Sequence, residues 1–108
     1  MPLARVVEYT DEFEDWWNSL SEAEQEEIAA KVEERGPSLS RPHADAIASS
    51  RHANMKELAW KGNDRQLRVL FAFDSRRVAL LLIGGDKTGD PRWYEPSVPI
   101  ADDLFDQH

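Results

Sequence analysis

The sequence predicts one α+β domain spanning residues 1–108. A small antiparallel β-sheet, made of a meander plus an N-terminal strand, is covered by an N-terminal helical hairpin and followed by a short C-terminal helix. Two observations predict it. Between residues 55 and 85, two polar turns separate three apolar-rich runs, as is typical of an antiparallel meander. Before them, residues 10–35 carry helix caps and helical apolar spacing, and this chain length supports a single core.

The strands follow from the spacing of apolar residues. In residues 66–73 the odd positions carry the main apolar set, whereas Arg68 falls mid-strand on the opposite face. Residues 78–83 are apolar without alternation, which favours a central strand covered on both faces, although a short buried helix has the same pattern. The run RVVEY at residues 5–9 predicts an edge or outer strand. The segment GGDKTGD at 84–90 is predicted to be too glycine-rich to continue a strand, and it lacks the spacing of a nucleotide-binding loop.

Two helices are predicted before the meander. Thr10 stands at an N-cap position, and the apolar residues that follow at helical spacing are Phe13, Trp16, Trp17 and Leu20. The capping-box sequence SEAE at residues 21–24 opens a second helix that should run to about Arg35, with Gly36 as its stop. Its apolar stripe is thin, and residues 18–21 should form the turn of a helical hairpin that covers one sheet face.

The remaining segments give weaker patterns. Residues 36–51 are predicted to be a loop with at most one helical turn around residues 43–48, because they are rich in Pro and Ser. A C-terminal helix is predicted from about Pro99, with Ile100, Leu104 and Phe105 packing back on the sheet.

Composition narrows the function classes. The chain has no cysteine and no apolar run of 18 residues, so we expect a soluble, cytoplasmic protein without membrane contact. A net charge of -8 argues at first against a nucleic-acid partner, but residues 36–77 hold 8 basic and 4 acidic side chains. This positive zone between two acidic segments indicates either a nucleic-acid surface or simply an unevenly charged solvated surface.

Several catalytic chemistries are disfavoured by the motifs. His43, His52 and His108 form no HxH or HExxH pair, so neither a metal site nor a cofactor is predicted. Cysteine is absent, and no serine lies in a GxSxG elbow. The helical carboxylates resemble solvated surface rather than a glycosidase pair.

Cations and one phenol remain as candidate site residues. Lys56 and Glu57 precede Arg68 on neighbouring strands, Lys87 follows the last strand, and Tyr94 opens the C-terminal segment. The ends of these elements can converge into a groove that suits a phosphodiester. RNA carries its own nucleophile, the 2′-hydroxyl, so alignment and charge stabilisation suffice. A tyrosine or lysine amid cations is expected to have its pKa lowered toward neutrality and to act as base or acid. The alternative is that these are ordinary surface charges.

The motifs KEL, RVLFAFD, GGDKTGD and WYE, in this order, resemble the RelE/HigB toxins of bacterial type II toxin-antitoxin modules, in the phage Gp49-like branch of the RelE/ParE superfamily. The resemblance covers nearly the whole chain. It implies a metal-independent endoribonuclease, an mRNA interferase that cleaves message in the ribosomal A site. The implied partners are the ribosome, mRNA and a HigA-like helix-turn-helix antitoxin, with operator DNA reached only through the antitoxin.

The resemblance also implies residue roles. Arg68 matches the strand arginine that contacts the scissile phosphate, and Lys87 matches the basic residue after the last strand. Tyr94 matches the aromatic that stacks on a base or assists proton transfer, and Glu57 matches a glutamate common in the Gp49-like branch. Further candidates for RNA contact are Arg51, Lys56, Ala59, Lys61, Arg65 and Trp93.

One position departs from the pattern. In related sequences an arginine usually follows KEL, whereas this chain has Ala59. Losing a cation in the groove is expected to weaken phosphate binding or transition-state stabilisation by about 3 kcal/mol, which implies an attenuated nuclease. Two alternatives therefore stay open: a gyrase poison like the ParE branch, without nuclease activity, or an inactive toxin that mainly binds its antitoxin.

Overall fold

A computed structural model describes residues 7–35, 44–47, 49–52, 55–62, 65–76 and 78–107. The elements in chain order are β1 Val7–Tyr9, α1 Asp11–Asn18, α2 Glu22–Arg35, β2 Ala44–Ala46, β3 Met55–Gly62, β4 Arg65–Phe73, β5 Ala79–Asp86 and α3 Tyr94–Asp106. The strands form one sheet in the order β1-β5-β4-β3-β2. The predicted α+β class, with the meander at the centre of the sheet, is confirmed.

The N-terminal strand lies at an edge, as predicted, but its direction makes the sheet mixed. β1 pairs in parallel with β5, with Val7 opposite Ala79, whereas the other pairs are antiparallel. Two helices and three strands separate β1 from β5 in the chain, which gives the long connection that a parallel pair requires. β5 thereby becomes an inner strand, and its unbroken apolar run has a neighbour on each side.

Two predictions about the loops are wrong. The segment around residues 43–48 was expected to hold at most a helical turn, but Ala44–Ala46 form the edge strand β2, because they pair with residues 56–58 of β3. The glycine pair was expected to end the third strand, yet β5 continues through Gly84 and Gly85 to Asp86. The predicted stop at Gly36 lies outside the described residues.

The two glycines stay in the strand because they make room for tryptophan rings. A Cβ added to Gly84 would lie 2.2 Å from a ring carbon of Trp16, and one added to Gly85 would lie 2.3 Å from Nε1 of Trp93. Each distance is far below van der Waals contact. Glycine lowers the stability of a strand, and here this cost is offset because an indole packs closely against the strand on each face of the sheet.

The helical hairpin forms as its capping residues predict. The Thr10 side chain accepts a hydrogen bond of 3.0 Å from the Phe13 amide at the start of α1. Ser21 and Glu24 form a reciprocal capping box, in which the Ser21 hydroxyl accepts from the Glu24 amide and the Glu24 carboxylate accepts from the Ser21 amide. None of the helices in the described ranges is long and apolar enough to span a bilayer.

The sheet separates two apolar clusters. On one face, the hairpin packs against odd-numbered β4 residues through the buried side chains Phe13, Trp17, Leu20 and Ile28. On the other face, Val98 and Ala101 of α3 pack against even-numbered strand residues, among them Leu70 and Ala72 of β4. The alternation predicted for β4 is thereby confirmed, and Arg68 lies on the α3 face.

The C-terminal helix begins earlier than predicted. α3 starts at Tyr94 and includes Pro99, which lacks the amide that would bond the Glu95 carbonyl. Ile100, expected to pack back, is 43% exposed. The longer helix turns other positions toward the sheet, and of the predicted packing residues only Leu104 and Phe105 lie partly buried against the cluster.

Candidate functional site

The candidate site lies on the α3 face of the sheet, where three strands meet the first turn of α3. Strand register places Ala59 of β3 directly opposite Arg68 of β4, and Gly85 of β5 opposite Arg68 on its other side. Glu57 lies two residues before Ala59 and therefore points to the same face. The small residues on both sides leave Arg68 without a large cross-strand neighbour.

Arg68 and Glu57 form a buried ion pair without a hydrogen bond between the two groups. Nε of Arg68 lies 3.8 Å from Oε1 of Glu57, and the side chains are 10% and 14% exposed. Nη1 of Arg68 donates a hydrogen bond of 2.8 Å to the Leu67 carbonyl. Nε of Arg68 and Oε2 of Glu57 are buried and have no hydrogen-bond partner among the described residues. Buried polar atoms without a partner are costly in a fold, and a functional site is one explanation for them.

Tyr94, the first residue of α3, brings its hydroxyl to this pair. Burial raises the pKa of Tyr94, and hydrogen bonding to the Glu57 carboxylate raises it further, whereas the Arg68 guanidinium lowers it. The net shift is upward, so the expectation that cations lower this pKa toward neutrality is wrong. The reason is that burial, and after it the neighbouring Glu57 carboxylate, disfavours the charged phenolate. At neutral pH the phenol is therefore a hydrogen-bond donor and not a base.

Lys87 joins the site from the turn after β5. Its backbone amide donates a hydrogen bond of 2.9 Å to the Gln66 carbonyl, which holds the turn against β4. Its Nζ lies 5.3 Å from the centroid of the Tyr94 ring, a cation–π contact. The four predicted catalytic residues, Glu57, Arg68, Lys87 and Tyr94, are thus brought together around one phenol.

Of the other predicted RNA-contacting residues, Ala59 and Trp93 lie beside this group, whereas Lys56, Arg65 and Arg51 lie away from it. Lys56 pairs with Phe71, and Arg65 contacts Glu24 and Asp86, so both belong to the hairpin face of the sheet. Arg51 contacts carboxylates in the second half of α3. The backbone of Lys61 lies opposite Gln66 of β4.

Trp93 is a core residue in this structure. It is 9% exposed, covers Gly85 and meets the Tyr94 ring edge-to-face at 5.1 Å between centroids. This position gives the indole little surface for stacking on a base. Its large apolar area instead anchors the start of α3 beside Tyr94.

Four of the eight basic residues in the positive zone contact carboxylates in the described part of the chain. Of its arginines, Arg51, Arg65 and Arg76 contact carboxylates from the acidic segments before and after the zone, and Arg68 contacts Glu57. For the first three of these arginines, the acidic segments supply or share the compensating charge. Arg68 differs from the other arginines because it is buried.

A small cavity beside Tyr94 was missed by sequence reasoning. It measures about 170 Å³ and is lined by Ser49, Tyr94, Glu95, Val98 and Pro99. No motif identified it, since Ser49 belongs to a loop that only the fold brings against α3. In the described part of the chain, no cluster of His, Asp or Glu side chains has a geometry that would hold a metal ion.

Comparison with known proteins identifies the family. The family described as "Phage derived protein Gp49-like (DUF891)" matches residues 15–106. This chain belongs to the Gp49-like family. The match covers both sheet faces and every residue of the candidate site, so the predicted resemblance to the Gp49-like branch is confirmed.

Two proteins similar to this chain occur in Mycobacterium tuberculosis (strain ATCC 25618 / H37Rv). The protein named "Putative toxin HigB3" is 42% identical over 93 residues, which are 82% of this chain and 80% of the relative. The protein named "Putative toxin HigB2" is 40% identical over 98 residues, which are 86% of this chain and 49% of the relative. The chain thus spans about half the length of HigB2. No solved structure gave a significant match.

Proposed function

We propose that this Gp49-like protein is the toxin of a toxin-antitoxin module and acts as a metal-independent endoribonuclease on mRNA in the ribosome. The names of the HigB relatives support the toxin role. The observation that carries the nuclease is the convergence of Glu57, Arg68, Lys87 and Tyr94 on one face of the sheet. A cognate helix-turn-helix antitoxin is the expected partner.

The proposed reaction is attack of a ribose 2′-hydroxyl on the adjacent phosphate. The Glu57 carboxylate takes the 2′-hydroxyl proton, a bond forms from O2′ to phosphorus, and the bond from phosphorus to O5′ breaks. Arg68 stabilises the added negative charge on the pentacoordinate phosphate. The leaving 5′-oxygen takes a proton from the Tyr94 phenol or the Lys87 ammonium. The products are a 2′,3′-cyclic phosphate and a 5′-hydroxyl.

The geometry supports this division of roles. Because the pKa of Tyr94 is raised, its phenol retains a proton to donate, and Glu57 is the better proton acceptor. The 3.8 Å contact of Arg68 with Glu57 is too long for a hydrogen bond, so a phosphate oxygen can compete for the unpaired Nε donor. The guanidinium must shift to reach RNA, since its Nε is buried.

Ala59 is expected to limit the rate. It is exposed and lies opposite Arg68, so an arginine there adds a second cation beside the phosphate. We therefore propose that Ala59→Arg raises cleavage by about 100–1,000-fold, the range typical of one electrostatic contact to a transition state.

The test is expression in bacteria followed by primer extension on translated messages. The native chain and Ala59→Arg are compared with Glu57→Gln, Tyr94→Phe and Arg68→Lys in the Ala59→Arg background. We expect growth arrest with cuts inside translated codons for Ala59→Arg, weaker cutting for the native chain and none for Glu57→Gln. Intact messages during growth arrest would reject the nuclease, and inhibition of supercoiling by the purified chain would then favour a gyrase poison.

A further inference from the structure

Asp102 is a buried carboxylate outside the proposed catalytic group. It lies in the second half of α3 and is 3% exposed. Oδ1 accepts a hydrogen bond from the Ser50 hydroxyl, and Oδ2 accepts one of 3.2 Å from the Arg51 amide. Nη1 of Arg51 also lies 3.8 Å from Oδ2. Because a buried carboxylate is tolerated only when it is paired, these contacts attach α3 firmly to a segment about 50 residues earlier in the chain.

The attached segment leads directly into the strand that carries Glu57. The Ser50 hydroxyl accepts a hydrogen bond of 3.0 Å from the His52 amide, and the His52 carbonyl accepts one of 3.1 Å from the Met55 amide. Met55 is the first residue of β3, two positions before Glu57. An unbroken path of contacts therefore runs from Asp102 to the catalytic strand.

On the other side, Asp102 shares a helix with Tyr94. The two residues are eight positions apart, or about 12 Å along a helix axis. The contacts of α3 with the sheet are mainly apolar, through Val98 and Ala101. Its further polar contacts with Arg51 and His52 are made by the exposed carboxylates of Asp103 and Asp106. Apolar packing is not directional, so it holds a helix against a sheet without fixing its exact position along the axis. Hydrogen bonds to a buried carboxylate do fix it.

We propose that Asp102 is a positioning residue, which holds the Tyr94 hydroxyl against Glu57 and Arg68 by tying α3 to the segment before β3. Its effect on cleavage rests on the proposed function. Its effect on the surroundings of Tyr94 does not.

Asp103 gives a matched control. Its carboxylate lies 3.0 Å from Nη2 of Arg51, but it is 68% exposed and has no part in the path to Met55. Exposed ion pairs of this kind contribute little to structure. Asp103→Asn removes the same charge as Asp102→Asn, one residue away, and leaves both hydrogen bonds of Asp102 in place.

The first measurement is nuclear magnetic resonance of Tyr94. The ¹³Cζ resonance of its ring reports hydrogen bonding of the hydroxyl at neutral pH, and its alkaline titration reports the pKa of the phenol. We expect Asp102→Asn and Ser50→Ala to move this resonance and to lower the pKa of Tyr94 toward its ordinary value, whereas Asp103→Asn leaves both unchanged. Backbone amide spectra show whether each variant is folded, and Ser50→Ala tests the proposal if Asp102→Asn does not fold.

The second measurement is cleavage by the Ala59→Arg form. Asp102→Asn is expected to lower kcat by about 10–100-fold with little change in KM, because a misplaced catalytic group slows the reaction without removing substrate contacts. An unmoved Tyr94 resonance in folded Asp102→Asn would overturn the proposal. If the Ala59→Arg parent cleaves no RNA, the proposed function fails instead, and the resonance alone decides the role of Asp102.

Discussion

Replacing the buried pair of Arg68 and Glu57 by apolar side chains is expected to stabilise the fold. At 3.8 Å the attraction between the two charges is about 4 kcal/mol for an effective dielectric constant near 20. Against this, each buried ion loses several kcal/mol of hydration. The unpaired Nε and Oε2 atoms each add about 1–3 kcal/mol of cost. The pair is thus expected to be a net loss of stability, as the proposed role in binding a phosphate would allow.

The assay is a double-mutant cycle in urea at neutral pH. Arg68→Met alone leaves a buried carboxylate and should lower the free energy of unfolding by about 3–5 kcal/mol. Combining Arg68→Met with Glu57→Leu should raise it above that of the native chain by about 1–3 kcal/mol. A triple variant also carries Tyr94→Phe, because the double variant would leave the buried Tyr94 hydroxyl without its hydrogen-bond partners Glu57 and Arg68.

An exposed pair provides the control. Arg92 and Glu95 are 81% and 66% exposed, so Arg92→Met should change stability by less than about 0.5 kcal/mol. If the Arg68→Met, Glu57→Leu variant is less stable than the native chain by more than about 1 kcal/mol, the reasoning is refuted. The buried pair would then be a structural element that needs no functional explanation.

Two further changes test the packing and the turn beside the site. Gly84→Ala should lower the free energy of unfolding by about 1–3 kcal/mol, because the new methyl group meets the Trp16 ring. Adding Trp16→Leu to the same chain should restore part of this loss in a thermal melt. If the two losses simply add, the steric explanation is wrong. For Asp86, burial raises its pKa, but hydrogen bonds from Thr88, Arg65 and the Gln66 amide lower it more, to about 2. Because the folded value lies below the unfolded one, this carboxylate stabilises the fold above about pH 4 and loses that effect as pH falls through 2. Its contribution is at most about 2.5 kcal/mol, and screening by solvent lowers it further because the side chain is about a third exposed. Asp86→Asn should flatten the acid limb of a profile of stability against pH, and an unchanged profile would reject the assignment.

The sequence by itself determined the features that depend on residues close together in the chain. The alternation in β4 placed Arg68 on the face opposite the main apolar set, and the caps at Thr10 and Ser21 marked the two helices of the hairpin. These patterns are local, because strand alternation and helix capping act over a few residues. The same strand pattern, with the motifs of the family, pointed to Tyr94 and to the three charged residues that meet around it, Glu57, Arg68 and Lys87.

Only the tertiary structure decided the features that join distant parts of the chain. It showed that β1 runs parallel to β5, that Gly84 continues a strand because Trp16 needs its space, and that Asp102 ties α3 to the segment before β3. It also showed that the raised pKa of Tyr94 follows from burial beside Glu57. A pKa and an ion pair depend on which groups are near in space and how far water is excluded, and neither can be read from the order of residues.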